Sequence, residues 1–298
     1  NTTKIPEIEW YQMIAPHAHH FRMTVNKSIL QYPPGTGWLL SHFKQAISRR
    51  TLWILSYSGI ASIFLLTLKS FRSQFSNTSL AIMGIGSLYV TNTFAYRSDS
   101  LAPSCFLASC LSYLTIITIR KYIINDKSLL VLFNIVLLGI LLGLSLTLRP
   151  GNLLFITSQF PIFYVIWKNN RIYFLKSLML FMTSFILGTF PLLISNYINT
   201  GNYFLTTYSQ LDTKLNFSKL FSNLFLIPTN SEVVFITSII ALVFSIFIWN
   251  ICSNDFNRNL IRIILLTAWI GLIFCIIIMS LKDIFLPYYL APQVVLML

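Results

Sequence analysis

The chain has 298 residues, 55% of them hydrophobic and only 10% charged, with a mean hydropathy of +0.71 and a formal charge of +13. Soluble domains carry roughly 25% charged residues, so this composition excludes an ordinary soluble globular fold. Regular apolar/polar alternation is absent, which argues against an outer-membrane barrel. The basic residues form no stripe along the chain, which excludes a nucleic-acid-binding surface as a partner site.

The first fifty residues are polar by the standard of the rest. They contain Glu7, Glu9, Trp10 and Tyr11, then His17, His19 and His20, and close on Tyr32-Pro33-Pro34-Gly35. Glu7 and Glu9 share a face on an extended segment and diverge on a helix, and either carboxylate is a candidate general base. Tyr11 lies one helical turn after Glu7 and is placed to orient it. The three histidines admit a divalent metal, since neutral imidazole is a common ligand. Their spacing, however, is not the one-turn spacing of helical zinc sites. The Pro-Pro-Gly turn is stiff, because proline fixes φ. It marks the re-entry of the chain toward the apolar region. Trp38 to Ser48, with His42 and Lys44, reads as a short interfacial helix.

Apolar runs of about twenty residues then recur, and each is long enough to cross a bilayer as a helix. They place spans at 52–68, 79–95, 101–119, 129–147, 151–167, 173–195, 232–250, 261–280 and 286–298. The expected fold class is therefore all-α: a polytopic transmembrane bundle of about nine spans. Residues 1–50 form a polar outer loop bearing short interfacial helices, and residues 51–298 the membrane domain, with a second outer loop at 196–231. With residues 1–50 outside, the short inner links hold Lys69, Arg72, Arg120, Lys121, Lys127, Lys168, Arg171, Lys176, Arg258 and Arg262. The short outer links hold only Arg97, Arg149 and Lys282. Cytoplasmic links collect Lys and Arg, so this orientation satisfies the rule.

Polar material then falls on one face. Arg97-Ser98-Asp99 opens one span, and Asp99 has Arg97 as its nearest charge. Arg149 precedes Pro150-Gly151 in a tight hairpin, where a guanidinium can hold a phosphate through paired hydrogen bonds or reach lipid headgroups. Cys105, Cys110, Cys252 and Cys275 lie in or beside apolar segments without metal spacing, as small buried hydrophobes do. No Walker loop, dinucleotide fingerprint or nucleophile elbow occurs.

The order of these landmarks resembles the integral-membrane GT-C glycosyltransferases, the group that includes protein O-mannosyltransferases and the aminoarabinose lipid A transferase. The resemblance rests on the acidic first loop, Tyr32-Pro33-Pro34-Gly35, Arg97-Ser98-Asp99, Leu148-Arg149-Pro150 and Phe190-Pro191 through Asn196-Tyr197. Gly201-Asn202 and Pro287-Tyr288-Tyr289-Leu290-Ala291-Pro292 complete it. It implies transfer of a sugar from a polyprenyl-phosphate carrier to a glycan, lipid or protein acceptor, with inversion, on the extracytoplasmic face of a membrane, most simply the bacterial inner membrane. It also implies a catalytic acid, usually Asp, in the first outer loop. The matching positions here carry Glu7 and Glu9, and the sequence is read as lacking a first membrane helix. The expected site is thus Glu9 and Glu7 as base candidates, with Arg149 and Arg97 on the donor phosphate. Tyr11, Asp99 and Tyr32 are expected to contact substrate, and His17, His19 and His20 are the weak metal candidates. The sequence specifies no cofactor, and a divalent metal is admitted. The competing reading is a transporter or flippase of lipid-linked sugars, for which Gly- or Pro-broken spans are the signature.

Overall fold

A computed structural model describes residues 21–24, 27–30, 34–42, 48–71, 84–86, 88, 89, 91, 92, 100–125, 128–204, 216–230, 236, 239, 243 and 255–281. Helices account for nearly all of the regular structure. Strands β1 (Phe21–Thr24) and β2 (Lys27–Leu30) pair antiparallel with Phe21 opposite Leu30 and Met23 opposite Ser28. Then follow α1 (Pro34–Ser41), α2 (Ser48–Phe71), α3 (Leu101–Asn125) and α4 (Leu129–Leu148). A 3-10 segment (Pro150–Gln159), α5 (Phe160–Asn169) and α6 (Arg171–Thr200) come next, and a 3-10 turn (Phe217–Lys219), α7 (Leu220–Asn230) and α8 (Asp255–Ser280) complete the order.

Five helices are long and apolar enough to cross a membrane, at Arg50–Thr67, Leu101–Ile124, Leu129–Leu148, Arg171–Ile198 and Arg262–Ser280. They coincide with the spans expected at 52–68, 101–119, 129–147, 173–195 and 261–280. This is the architecture of a multi-pass membrane protein. The span expected at 286–298 lies outside the described residues and that at 232–250 almost wholly so, while in 79–95 residues 84–86, 88, 89, 91 and 92 are described and are helical.

Three expectations need correction. The run 151–167 is not one helix: it divides into the 3-10 segment and α5 at Gln159–Phe160. Pro161 contributes, because it has no N–H to give the carbonyl four residues back, and the Phe160 N–H turns to the Thr157 carbonyl instead. The polar first loop carries a hairpin as well as a helix, since Phe21-Arg22-Met23-Thr24 alternates with the period of a strand. A helix occupies Pro34–Ser41, overlapping the start of the one expected at Trp38–Ser48, of which residues 43–47 lie outside the described residues. Proline suits a first helical position, while at the other end the Ser41 hydroxyl and His42 Nδ1 lie 2.7 and 2.8 Å from the Trp38 carbonyl. The segment 196–231 is also less of a loop than expected. It begins inside α6, which ends at Gly201 in the left-handed conformation (φ 75°), and it closes with α7.

The core runs between α3 and α4. Leu101, Cys105, Ala108, Leu111, Ile119 and Tyr122 line one face of α3, and Val131, Ile135, Leu138 and Leu142 one face of α4. The steps of three and four are those of a helix stripe. Large apolar side chains such as Leu129, Phe133, Ile172 and Met179 remain exposed, as lipid-facing positions do.

Helices α4 and α6 approach most closely, and glycines are the reason. A Cβ added to Gly139 would collide with the Ser184 hydroxyl and the Phe181 carbonyl, and one on Gly143 would meet only backbone, from Phe185 to Thr189. Gly188 in turn faces the Ile140 backbone. Gly139 and Gly143 form a small-xxx-small pair, answered by Ser184 and Gly188 at the same spacing. Between lipid-embedded helices this lets backbones touch where no hydrophobic force draws them together. The matched numbering (139 with 184, 143 with 188) shows that α4 and α6 run parallel.

Candidate functional site

One end of the bundle gathers the polar groups. The break there is forced locally. Pro150 disfavours helical backbone at the preceding residue, and Arg149 is extended at φ −156°, ψ 128°. Its N–H still closes the last turn of α4 on the Ser145 carbonyl at 3.1 Å, and its carbonyl accepts from the Asn152 N–H at 3.0 Å. Arg149 is therefore held on both sides of the break, half-buried.

Asn152 is almost fully buried and braces this corner. Its Nδ2 donates to Ser104 Oγ on α3 at 3.0 Å and to the Ser145 carbonyl on α4 at 2.9 Å. The Ser104 hydroxyl in turn donates to the Ser100 carbonyl at 2.7 Å. The neighbouring Cys105 thiol shares a side-chain hydrogen bond with Thr91 and lies within electrostatic reach of Arg149. The Arg149 backbone is thus bonded to Ser145 and Asn152, beside the packed Ser104 and Cys105 of α3.

Other elements converge on the same corner. Gly35, at the start of α1, lies so close to the last turn of α4 that an added Cβ would strike the Thr147 hydroxyl and carbonyl. Gly151 abuts the Met279 methyl on α8, 3.0 Å from where its Cβ would be. Just beyond, the Asn223 amide of α7 donates to the Ser280 carbonyl at 2.8 Å, and the Asn216 N–H to the Leu281 carbonyl at 2.6 Å. At the end of α6, Asn196 donates to the Tyr203 carbonyl at 3.1 Å, and the Tyr197 and Tyr203 rings stack at 4.5 Å. The start of α1, the break at Arg149 and the 216–223 segment therefore meet at one end.

The opposite end has another character. Tyr122 of α3 stacks on Tyr173 of α6 at 5.7 Å, and Arg171 lies 6.0 Å from the Trp167 ring. Arg120, Lys121, Lys168 and Lys176 accompany them in sequence. The ends differ in charge as the inner and outer links do.

Of the residues expected at the site, only Arg149 lies among those described. Glu7, Glu9, Tyr11, His17, His19, His20, Tyr32, Arg97 and Asp99 fall outside them. Among the described residues no group of three His, Cys, Asp or Glu is arranged to hold a metal ion. Asn152, Ser104 and Ser145 escaped the sequence reading, as did a second buried amide, Gln159. A signal was available, because amides inside apolar runs are costly in a membrane unless bonded and so mark designed positions. Comparison with protein-family models, characterised proteins and solved structures returns no match.

Proposed function

We propose that this protein is a membrane glycosyltransferase of GT-C type, moving a sugar from a polyprenyl-phosphate donor to an acceptor at the end of the bundle that carries Arg149. The observation that carries the reading is the setting of Arg149. It is a half-buried cation at a proline-enforced helix break, next in the chain to the hydrogen-bonded corner of Asn152, Ser104 and Ser145, with Gly35 of α1 packed on Thr147 two residues before it. A guanidinium held in this way suits a phosphate whose charge grows as it leaves. Arg97 is the second phosphate candidate.

In the proposed reaction the acceptor oxygen or nitrogen forms a bond to the anomeric carbon as the bond from that carbon to the phosphate oxygen breaks. Glu9 or Glu7 takes the acceptor proton, the polyprenyl phosphate leaves as an anion against Arg149, and the anomeric centre inverts. Tyr11, Tyr32 and Asp99 would then border the sugar. The greater positive charge of the other end supports placing the Arg149 end on the extracytoplasmic side, in a bacterial inner membrane.

The test is purified protein in nanodiscs with a panel of undecaprenyl-phosphate-linked hexoses and pentoses, read by release of undecaprenyl phosphate. Release should require Arg149, fall at least tenfold in Arg149→Ala, and be lost when Glu7 and Glu9 are both replaced by Gln. Undiminished transfer in the double variant ends the base assignment. Unchanged donor affinity in Arg149→Ala ends the phosphate assignment. The division of residues 150–169 into two short helical pieces favours a second reading, a flippase of lipid-linked sugars. Movement of the donor across vesicles without release of undecaprenyl phosphate would select it.

A further inference from the structure

The ten-residue 3-10 segment is unusual in itself. Runs longer than three or four residues are uncommon, because 3-10 hydrogen bonds are poorer than those of an α-helix. Apolar surroundings that offer no competing water should favour the α form. What the segment touches explains its persistence.

It carries two buried amides seven positions apart, and both reach the same neighbour, α3. At one end Asn152 Nδ2 bonds Ser104 Oγ at 3.0 Å. At the other, Thr115 Oγ1 shares its one hydrogen between the Leu111 carbonyl at 2.8 Å and Gln159 Oε1 at 2.9 Å, while Gln159 Nε2 donates to Ser158 Oγ at 2.7 Å. The two anchors on α3 are eleven positions apart, about 16 Å along an α-helix at its rise of about 1.5 Å per residue. Seven residues of α-helix cover only about 10 Å. At the 3-10 rise of about 2.0 Å they cover about 14 Å, and the side chains bridge the remainder. The polar anchors therefore match the stretched form more closely than the relaxed one.

Pro161 cannot supply this explanation alone. It removes one donor at the junction with α5 and leaves the seven residues upstream unaccounted for. The apolar contacts of α5, through Ile162, Val165 and Ile166, recur turn by turn and tolerate sliding. A directional hydrogen bond does not.

We propose that Asn152 and Gln159 are the two fastenings of a length-changing segment that sets the distance between the Arg149 corner and α5. With both closed the segment is stretched. With Gln159 released from Thr115, residues 152–159 relax toward α-helix and shorten by about 3.5 Å, drawing α5 toward Arg149. The inference stands apart from sugar transfer, since neither its geometry nor its test involves a donor.

The test uses spin labels at Leu153→Cys and Phe160→Cys, both exposed positions, in the full chain with its native cysteines replaced by alanine. Continuous-wave line broadening reads the separation. Thr115→Val keeps the shape of the side chain and deletes the donor, and Gln159→Leu deletes the acceptor. Each should shorten the label separation by about 3.5 Å. Thr115→Ser, which retains the hydroxyl, and Pro161→Ala should leave it at the parent value. If Gln159→Leu does not fold, Thr115→Val decides alone. A parent separation retained in Thr115→Val overturns the proposal, as does shortening in Pro161→Ala alone.

Discussion

Helix α4 has two kinds of neighbour, and they are held in opposite ways. Against α6 it packs through Gly139 and Gly143, with the Ser184 and Gly188 positions facing them. At its end, the contact with α3 and the 3-10 segment is carried by Asn152, bonded to Ser104 and to the Ser145 carbonyl. The first contact is made by the absence of side chains and the second by one amide. In lipid neither is driven by apolar burial, because the acyl chains are as apolar as the helices. What remains is dispersion from close approach, which needs small residues, and hydrogen bonding, which needs a defined register. The glycine contact sets distance and the amide contact sets register.

Substitutions should separate the two. The largest effect is expected from Gly143→Leu. The three atoms nearest an added Cβ there are all backbone, so none can rotate away, and overpacking of this kind typically costs about 1–3 kcal/mol or more. Reversible unfolding in mixed micelles should show a loss at the upper end of that range, while stability equal to the parent would mean that α4 and α6 do not touch as described. Gly139→Ala should cost less, because one of its neighbours is the Ser184 hydroxyl, which can turn. Ser184→Ala should recover part of the loss, and a double-mutant cycle measures the coupling.

Asn152→Leu comes next, at about 1–2 kcal/mol, since it leaves the Ser145 carbonyl and the Ser104 oxygen without this donor. Its distinguishing mark is faster amide exchange across residues 145–152, with the α4–α6 contact unchanged. Exchange that spreads equally into α6 would contradict a division between distance and register. The smallest effect is expected from Thr115→Val. A single hydrogen bond between membrane helices averages about 0.6 kcal/mol, so its consequence should be read in the length of the 3-10 segment more than in stability. A fifth change tests the corner itself: in Gly35→Ala the added methyl strikes Thr147, and a cross-link between cysteines at 36 and 147 should form more slowly than in the parent.

The chain's own chemistry made much of this legible. Apolar runs of about twenty residues placed five membrane-length helices to within a few residues, because in a bilayer every backbone donor must be satisfied within its own segment. Arg149-Pro150 announced a helix break at the correct residue, since proline acts on its immediate neighbour whatever surrounds it. The base candidates Glu7 and Glu9, with Tyr11, Tyr32, the histidines, Arg97 and Asp99, were legible only as a pattern of polar residues and lie outside the described part of the chain.

Other features needed the assembled helices. Length and hydropathy made 151–167 look like one span. The segment is divided next to Pro161, and its buried amides Gln159 and Asn152 reach α3 at Thr115 and Ser104, partners forty-four and forty-eight positions away. The glycines of α4 were visible as letters, yet their role depends on Ser184 and Gly188 arriving opposite them. Hydrophobic length and proline geometry act locally and can be read from a string of residues. Close approach and register depend on which surface comes to lie opposite, so only the tertiary structure decided them.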